Sequence, residues 1–269
     1  MQDRLTVRSR LSQLFSKREE RTGEDRPTIL LPLRVLEGDA IPEGVPDLLT
    51  NAHVVLLGYH VVPDQTATDQ ARTQFEEQAI RRLDDFTAIL EDAGATVESR
   101  VVFTHDGQQT IDRISDDHDC LAVLVPNATR PIEQVLVAVR GMVGLNRFVR
   151  VVSGLFANLE IHVTLYHVAD EDASDEDVEM LLDGIATQLS EEGISPDLID
   201  TEISRGGKSQ DMIVETADNY DTIVMGESDR SVRTLLFGMS ADQVATQFLG
   251  PVFVIQHEEP KDHEVTDTE

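Results

Sequence analysis

Residues 53–61 read HVVLLGYHV and residues 161–168 read IHVTLYHV. Both are apolar runs of strand length, and both close on the same three residues, Tyr59-His60-Val61 and Tyr166-His167-Val168. A run that is apolar at consecutive positions suits a strand covered on both faces, as in a parallel sheet between helices. Working outward, Leu31-Pro32-Leu33-Arg34 precedes the first run and Val137-Ala138-Val139-Arg140 precedes the second, at nearly equal spacing. The chain is therefore expected to contain one α/β unit twice.

Each copy continues as strands alternating with helical patterns, the signature of a parallel sheet packed against helices. In the first copy, strands are expected at 28–34, 53–61, 96–103 and 120–125, with a short helix at 108–114. A long helix carries Phe75, Ala79, Leu83, Phe86 and Leu90 on one face and stops at Gly94. In the second, strands are expected at 135–139, 161–168, 199–204, 222–225 and 252–256. Its helices show Phe148, Val152, Leu155 and Leu159 on one face, and Val178, Leu181, Leu182, Ile185 and Leu189 on another, with Gly193 as a stop. Further helices are expected at 209–217 and 241–248. The first copy opens with a Pro- and Gly-rich stretch, 38–49, instead of a helix, and lacks a last helix and a fifth strand. The expected boundaries are 1–27 for an N-terminal segment, 28–130 and 131–257 for the copies, and 258–269 for an acidic, solvated tail. The open edge of the first copy's fourth strand needs a cover, because an unpaired edge recruits other chains. The second copy, a partner chain or residues 1–27 are the expected shields.

The 269 residues include 51 acids against 22 Lys and Arg, a net charge of -29. That charge repels nucleic-acid phosphates, and 4% aromatic residues leave few rings for stacking bases, so nucleic acid is excluded as a partner. Acid excess with only three Lys points to a halophile's cytoplasm, where salt screens the mutual repulsion of carboxylates. One cysteine, Cys120, rules out an internal disulfide framework and a multi-thiolate metal site. No apolar run approaches the ~20 residues of a membrane span, and the expected location is cytoplasmic. Residues 1–21 form the exception to the charge pattern. Val7, Leu11, Leu14 and Phe15 fall on one helical face among Arg4, Arg8, Arg10, Lys17 and Arg18, a basic amphipathic helix. It could dock on a partner, on the chain's own domains, or at the inner face of a membrane.

The second copy resembles the universal stress protein family. The resemblance rests on Val135-Leu136-Val137-Ala138-Val139, Leu165-Tyr166-His167-Val168, Ile223-Val224-Met225-Gly226, Leu235-Leu236-Phe237-Gly238 and Gly250-Pro251-Val252-Phe253-Val254-Ile255, in that order. It covers residues 131–257 well and 28–126 weakly. It implies two tandem doubly wound α/β domains, also similar to nucleotide-alpha hydrolases, with strand order 3-2-1-4-5 and the first domain incomplete. It also implies a homodimer through the last strand and, as the one small ligand, ATP in the crevice where the strand order reverses.

ATP-binding members carry Gly-x-x-Gly, nine residues, then Gly-Ser/Thr after the fourth strand, since Gly lets backbone approach phosphate and a helix start binds anions. Here Gly226 is present, Asp229 replaces the second Gly, and a loop one residue shorter reaches Gly238, Met239 and Ser240. Such members also carry Asp at the end of the first strand, where this chain has Arg34 and Arg140, donors suited to anions. The nucleotide-binding residues implied are Val139, Arg140, Val168, Met225, Gly226, Arg230, Arg233, Gly238, Met239 and Ser240.

Other segments are read as structural. Arg205-Gly206-Gly207-Lys208-Ser209 has Glu202 where a phosphate loop needs its first Gly, and reads as a helix start. Residues Asp116 to Cys120 read as a polar turn before a buried strand, and His60 and His167 as strand-end histidines bonded to neighbouring carbonyls. No motif of nucleophilic or metal-dependent catalysis occurs, and no catalytic or metal-binding residue is expected. The function expected is a non-enzymatic regulatory protein of universal stress type, sensing an adenine nucleotide weakly. The alternative is an accessory subunit of a membrane transporter, docking through residues 1–21.

Overall fold

The computed structural model describes residues 26–139, 144–170, 173–206, 209–226 and 250–256. The basic segment up to residue 25, residues 140–143, the expected loop and helix within 227–249 and the expected tail from 257 lie outside the described residues. In chain order the strands are β1 (Thr28–Leu33), β2 (His53–Val61), β3 (Thr96–Thr104), β4 (Ala122–Val125), β5 (Gln134–Val139), β6 (His162–Ala169), β7 (Ile199–Arg205), β8 (Thr222–Gly226) and β9 (Val252–Ile255). The described helices are α1 (Val45–Leu48), α2 (Thr68–Asp92), α3 (Gly107–Asp117), α4 (Leu145–Phe156), α5 (Asp175–Glu191) and α6 (Ser209–Ala217).

All nine strands join one sheet in the order β3-β2-β1-β4-β9-β8-β5-β6-β7. The second half thus has its own strands in the order 3-2-1-4-5, and the first half has 3-2-1-4. Where the first half lacks a fifth strand, β9 takes the place. It runs parallel to β8, with Val224 beside Phe253, and antiparallel to β4, with Leu124 beside Phe253. The second copy is therefore the shield that the open edge of β4 requires. Both edges of β9 are paired within the chain, one to β4 and one to β8.

The local elements follow from sequence. Ala79, Leu83, Phe86 and Leu90 of α2 are buried as the 3.6-residue period demands, while Phe75 is half-buried. Gly94 and Gly193 end α2 and α5 with φ of 105° and 101°, where a Cβ would be strained. Asp106 caps α3, its Oδ1 accepting from the Gln109 amide at 2.9 Å. One expectation needs correcting. Leu159 is not on the α4 face, because the helix ends at Phe156, Ala157 is extended and Asn158 turns left-handed at φ 61°. Asn is among the side chains that tolerate that turn, and Leu159 is left exposed beyond it.

The core is continuous on one face of the sheet and divided on the other. Ile29, Leu31, Leu56, Leu124, Val135, Val137, Leu165, Val224, Phe253 and Ile255 form one cluster with α2, α4 and α5, spanning both halves. On the opposite face, Leu30, Val55, Leu57 and Val123 pack with Ile111 and Ile114 of α3. There, Leu136, Ala138, Tyr166, Met225, Val252 and Val254 pack separately, with α6 and Val125. Fully burying one such Leu or Phe contributes about 1.5–3 kcal/mol, so the shared face binds the halves together.

Candidate functional site

Open α/β sheets hold ligands beyond the carboxyl ends of strands where their order reverses. This sheet offers two such places, beyond β1 and β4 and beyond β5 and β8. At the first, the cation is already paired by the chain itself. At the end of β1 the Arg34 guanidinium lies 3.4 Å from Glu37 and 3.5 Å from Asp39, and its amide donates to Asp39 Oδ2 at 2.9 Å. Two carboxylates within three to five residues thus neutralise the cation that an incoming anion would need. Beside it, burial pushes the Tyr59 hydroxyl's pKa up, against the opposing pull of Arg34. Glu37 and Asp39 were not among the sequence candidates, although their acids in the turn after Arg34 were the available signal.

The second place is bounded by the ends of β5, β6 and β8. Val168 and Met225 face the α6 side with Tyr166 and Ala138, whereas Val139 belongs to the opposite face with Val137. The three predicted apolar residues therefore do not form one wall. Strand alternation separates them, since side chains one residue apart point to opposite faces. Gly226 closes β8 half-buried, with no side chain between backbone and the space beyond it. Arg140, Arg230, Arg233, Gly238, Met239 and Ser240 lie outside the described residues.

His60 and His167 share a position in the two halves but not a contact. His167 Nδ1 lies 2.9 Å from the Val139 carbonyl, which can only accept, so Nδ1 carries the proton and the ring is tied to β5. His60 stands between the rings of Phe75 and Phe103, with Nδ1 3.9 Å from Glu37 Oε1 and no hydrogen-bond partner. The first therefore matches the expected strand-end role and the second does not. A different pair repeats the same task. His105 after β3 bonds the Val62 carbonyl after β2 at 2.9 Å, and Arg205 at the end of β7 donates to Asp170 and Ala173 carbonyls after β6 at 3.0 and 3.1 Å. Arg205 also pairs with Asp175 at the start of α5. Its role is to hold the loop after β6, and Gly206 at φ 81° then turns the chain toward α6.

The turn at 116–120 is structural. Asp119 is left-handed at φ 47°, the Cys120 amide donates to the Ser115 carbonyl at 2.8 Å, and His118 lies 3.4 Å from Glu98. Burial pushes the Cys120 thiol up to about 12, which keeps it protonated and unreactive at neutral pH. Among the described residues no three or more His, Cys, Asp or Glu side chains gather as a metal site, and no helix is long and apolar enough to cross a membrane.

Residues 131–256 match the model of the universal stress protein family. No curated protein matches the sequence. Among solved structures, a universal stress protein from Archaeoglobus fulgidus matches with a TM-score of 0.58 and 17% identity, over 86% of this chain and 97% of that one. The likeness therefore extends across both halves of the sheet. A Pseudomonas aeruginosa protein assigned to the universal stress proteins matches at TM-score 0.47 and 18% identity, over 87% and 95% of the two chains. A universal stress protein in complex with cAMP matches at TM-score 0.36 and 18% identity, over 47% of this chain and 98% of that one. Only the first likeness is close enough to speak for a shared fold.

Proposed function

Because residues 131–256 belong to the universal stress protein family, we propose that the chain is a non-enzymatic regulatory protein of that type whose second half senses an adenine nucleotide weakly. ATP is the ligand, and the crevice beyond β5 and β8 is its site. Val168, Met225 and Gly226 supply the described part of the lining, and Arg140, Arg230, Arg233, Gly238, Met239 and Ser240 complete it. The observation that carries this reading is the family match over a half whose strands lie in the order 3-2-1-4-5 and whose fourth strand ends in Gly226. The first half takes no part in binding, since Arg34 is held by Glu37 and Asp39.

Binding rather than turnover is favoured by the state of two reactive groups, His167 near the end of β6 and Cys120 before the start of β4. His167 is fixed on a carbonyl and Cys120 is a buried, protonated thiol, so neither is poised as a base or nucleophile. The test is equilibrium binding of ATP, ADP and AMP to the whole chain, in dilute buffer and in concentrated KCl, with Gly226→Glu as the control. Saturable ATP binding lost in that variant is the expected result. Equal ATP binding by both proteins, or none by either, would remove the nucleotide from this reading.

A further inference from the structure

A cavity of about 540 Å³ lies between the two halves, bounded by the approach to β2 in the first half and by the residues before β5 and β6 in the second. It is lined by α1 and the residues before β2, by 129–132 between β4 and β5, and by the end of α4 with Leu159 and Ile161. Its size is in the range that buries small ligands or a few side chains. Leu48, Leu155 and Phe156 form an apolar floor, and exposed Leu159 stands at its rim. The rim is acidic. Glu43 and Asp47 line it, Glu133 and Glu160 are exposed beside lining residues, and Arg130 is the one cation in the lining.

The described chain begins beside this cavity. Arg26 Nη1 donates to the Gly94 carbonyl and to Thr96 Oγ1, both at 3.3 Å, and the Pro27 carbonyl accepts from the His53 amide at 3.0 Å. Pro27 packs on Gly154 of α4 so closely that a Cβ there would lie 2.6 Å from its Cδ. Gly154 adjoins Leu155, and His53 follows Thr50 and Asn51, which are all cavity residues. The segment leading to Arg26 has the complementary chemistry. Residues 1–18 hold Arg4, Arg8, Arg10, Lys17 and Arg18 against the single acid Asp3, around the apolar face of Val7, Leu11, Leu14 and Phe15. Eight residues from 19 to 26 span up to about 26 Å when extended, ample to fold back.

We propose that the cavity between the halves is the seat of the chain's own residues 1–18, their apolar face on Leu159 and the floor and their cations on the acidic rim. The chain then covers this face itself, and a membrane or transporter must compete for the same apolar residues. The segment acts as a tethered ligand, so docking draws on a high effective concentration.

The test uses the full chain with Leu14→Cys and Leu159→Cys, Cys120 being too buried to compete. Leu159 is already exposed, so its replacement spares the fold. The reference pairs Leu14→Cys with Met180→Cys, exposed near the start of α5, which follows the end of β6, whereas Leu159 precedes its start. Mild oxidation is expected to yield an intrachain disulfide at least tenfold faster in the first protein, with both new thiols lost and the mass that of a monomer. Adding Arg8→Glu and Arg10→Glu should slow it several-fold. Equal rates in the two pairs, links between separate chains, or anionic vesicles that capture the unaltered protein in place of the intrachain link would each overturn the proposal.

Discussion

Leu124 of β4 stands opposite Phe253 of β9 in an antiparallel register, and Phe253 also pairs with Val224 of β8. One residue thereby belongs to the strand ladders of both halves and to the core cluster that spans them. Phe253 is fully buried, so Phe253→Ala should cost about 3–5 kcal/mol. Hydrogen exchange at Leu30 and Leu136, one in each half, should accelerate together. Acceleration at Leu136 alone would show that the halves are energetically separate.

Residues 131–256 alone would expose the β4-facing edge of β9. An unpaired central strand recruits another chain, and light scattering behind gel filtration should find this fragment as a dimer or larger. A monodisperse, folded monomer would show that β9 does not need its second neighbour. Residues 28–130 alone should likewise fail to give a folded monomer.

Asp221 ties β8 to the start of β5. Its Oδ2 accepts from the Glu133 and Gln134 amides at 2.9 Å each, and its carbonyl accepts from Thr129 Oγ1 at 3.2 Å. Asp221→Ala removes the first two bonds and should destabilise the chain by about 2 kcal/mol. Asp221→Asn keeps an acceptor oxygen and should lose less. Denaturant midpoints that rank Asn at or below Ala would contradict the assigned geometry.

The Cys120 thiol gives a pH signature. Its folded pKa of about 12 lies above the ordinary 9.0, so between these values the folded chain holds a proton that the unfolded chain has released. The associated stability is intact below pH 9 and falls as pH rises toward 12, by about 1.4 kcal/mol per unit. Urea unfolding at pH 8 and pH 10.5 should show a decline about 2 kcal/mol larger in the natural protein than in Cys120→Ala. Parallel declines would assign the alkaline sensitivity to other groups. A thiol reagent at pH 8 should modify Cys120 only in denaturant.

The central strands were legible because each is an apolar run with a clear end, and His53–Val61 falls where HVVLLGYHV predicts, whereas the edge strands β3 and β7 carry polar residues and were placed by the alternation of elements. So was the need for a cover on β4, an inference from what the first copy lacks. The antiparallel β4–β9 pairing itself was not legible, since register between distant segments leaves no local pattern. The end of α4 was misread because Leu159 continues the helical period, and Asn158 in the left-handed turn overrides it. In the candidate site, strand alternation already sets Val139 on the face opposite Met225 and Val168. The fate of Arg34 depended on Glu37 and Asp39, which the strand pattern alone does not draw in. The cavity between the halves is assembled from α1, the linker and the end of α4, and no single stretch of sequence carries its signal.

The shared strand also imposes an order of events on a nascent chain. Residues 28–125 leave the ribosome with one edge of β4 on β1 and the other still open, and they wait through the synthesis of the whole second half before β9 arrives. During that interval an open edge is exposed to other nascent chains and to chaperones, the interval in which unpaired strands misassemble. Slower translation after β4 lengthens the exposure, so codon usage between residues 126 and 252 bears on the yield of folded protein.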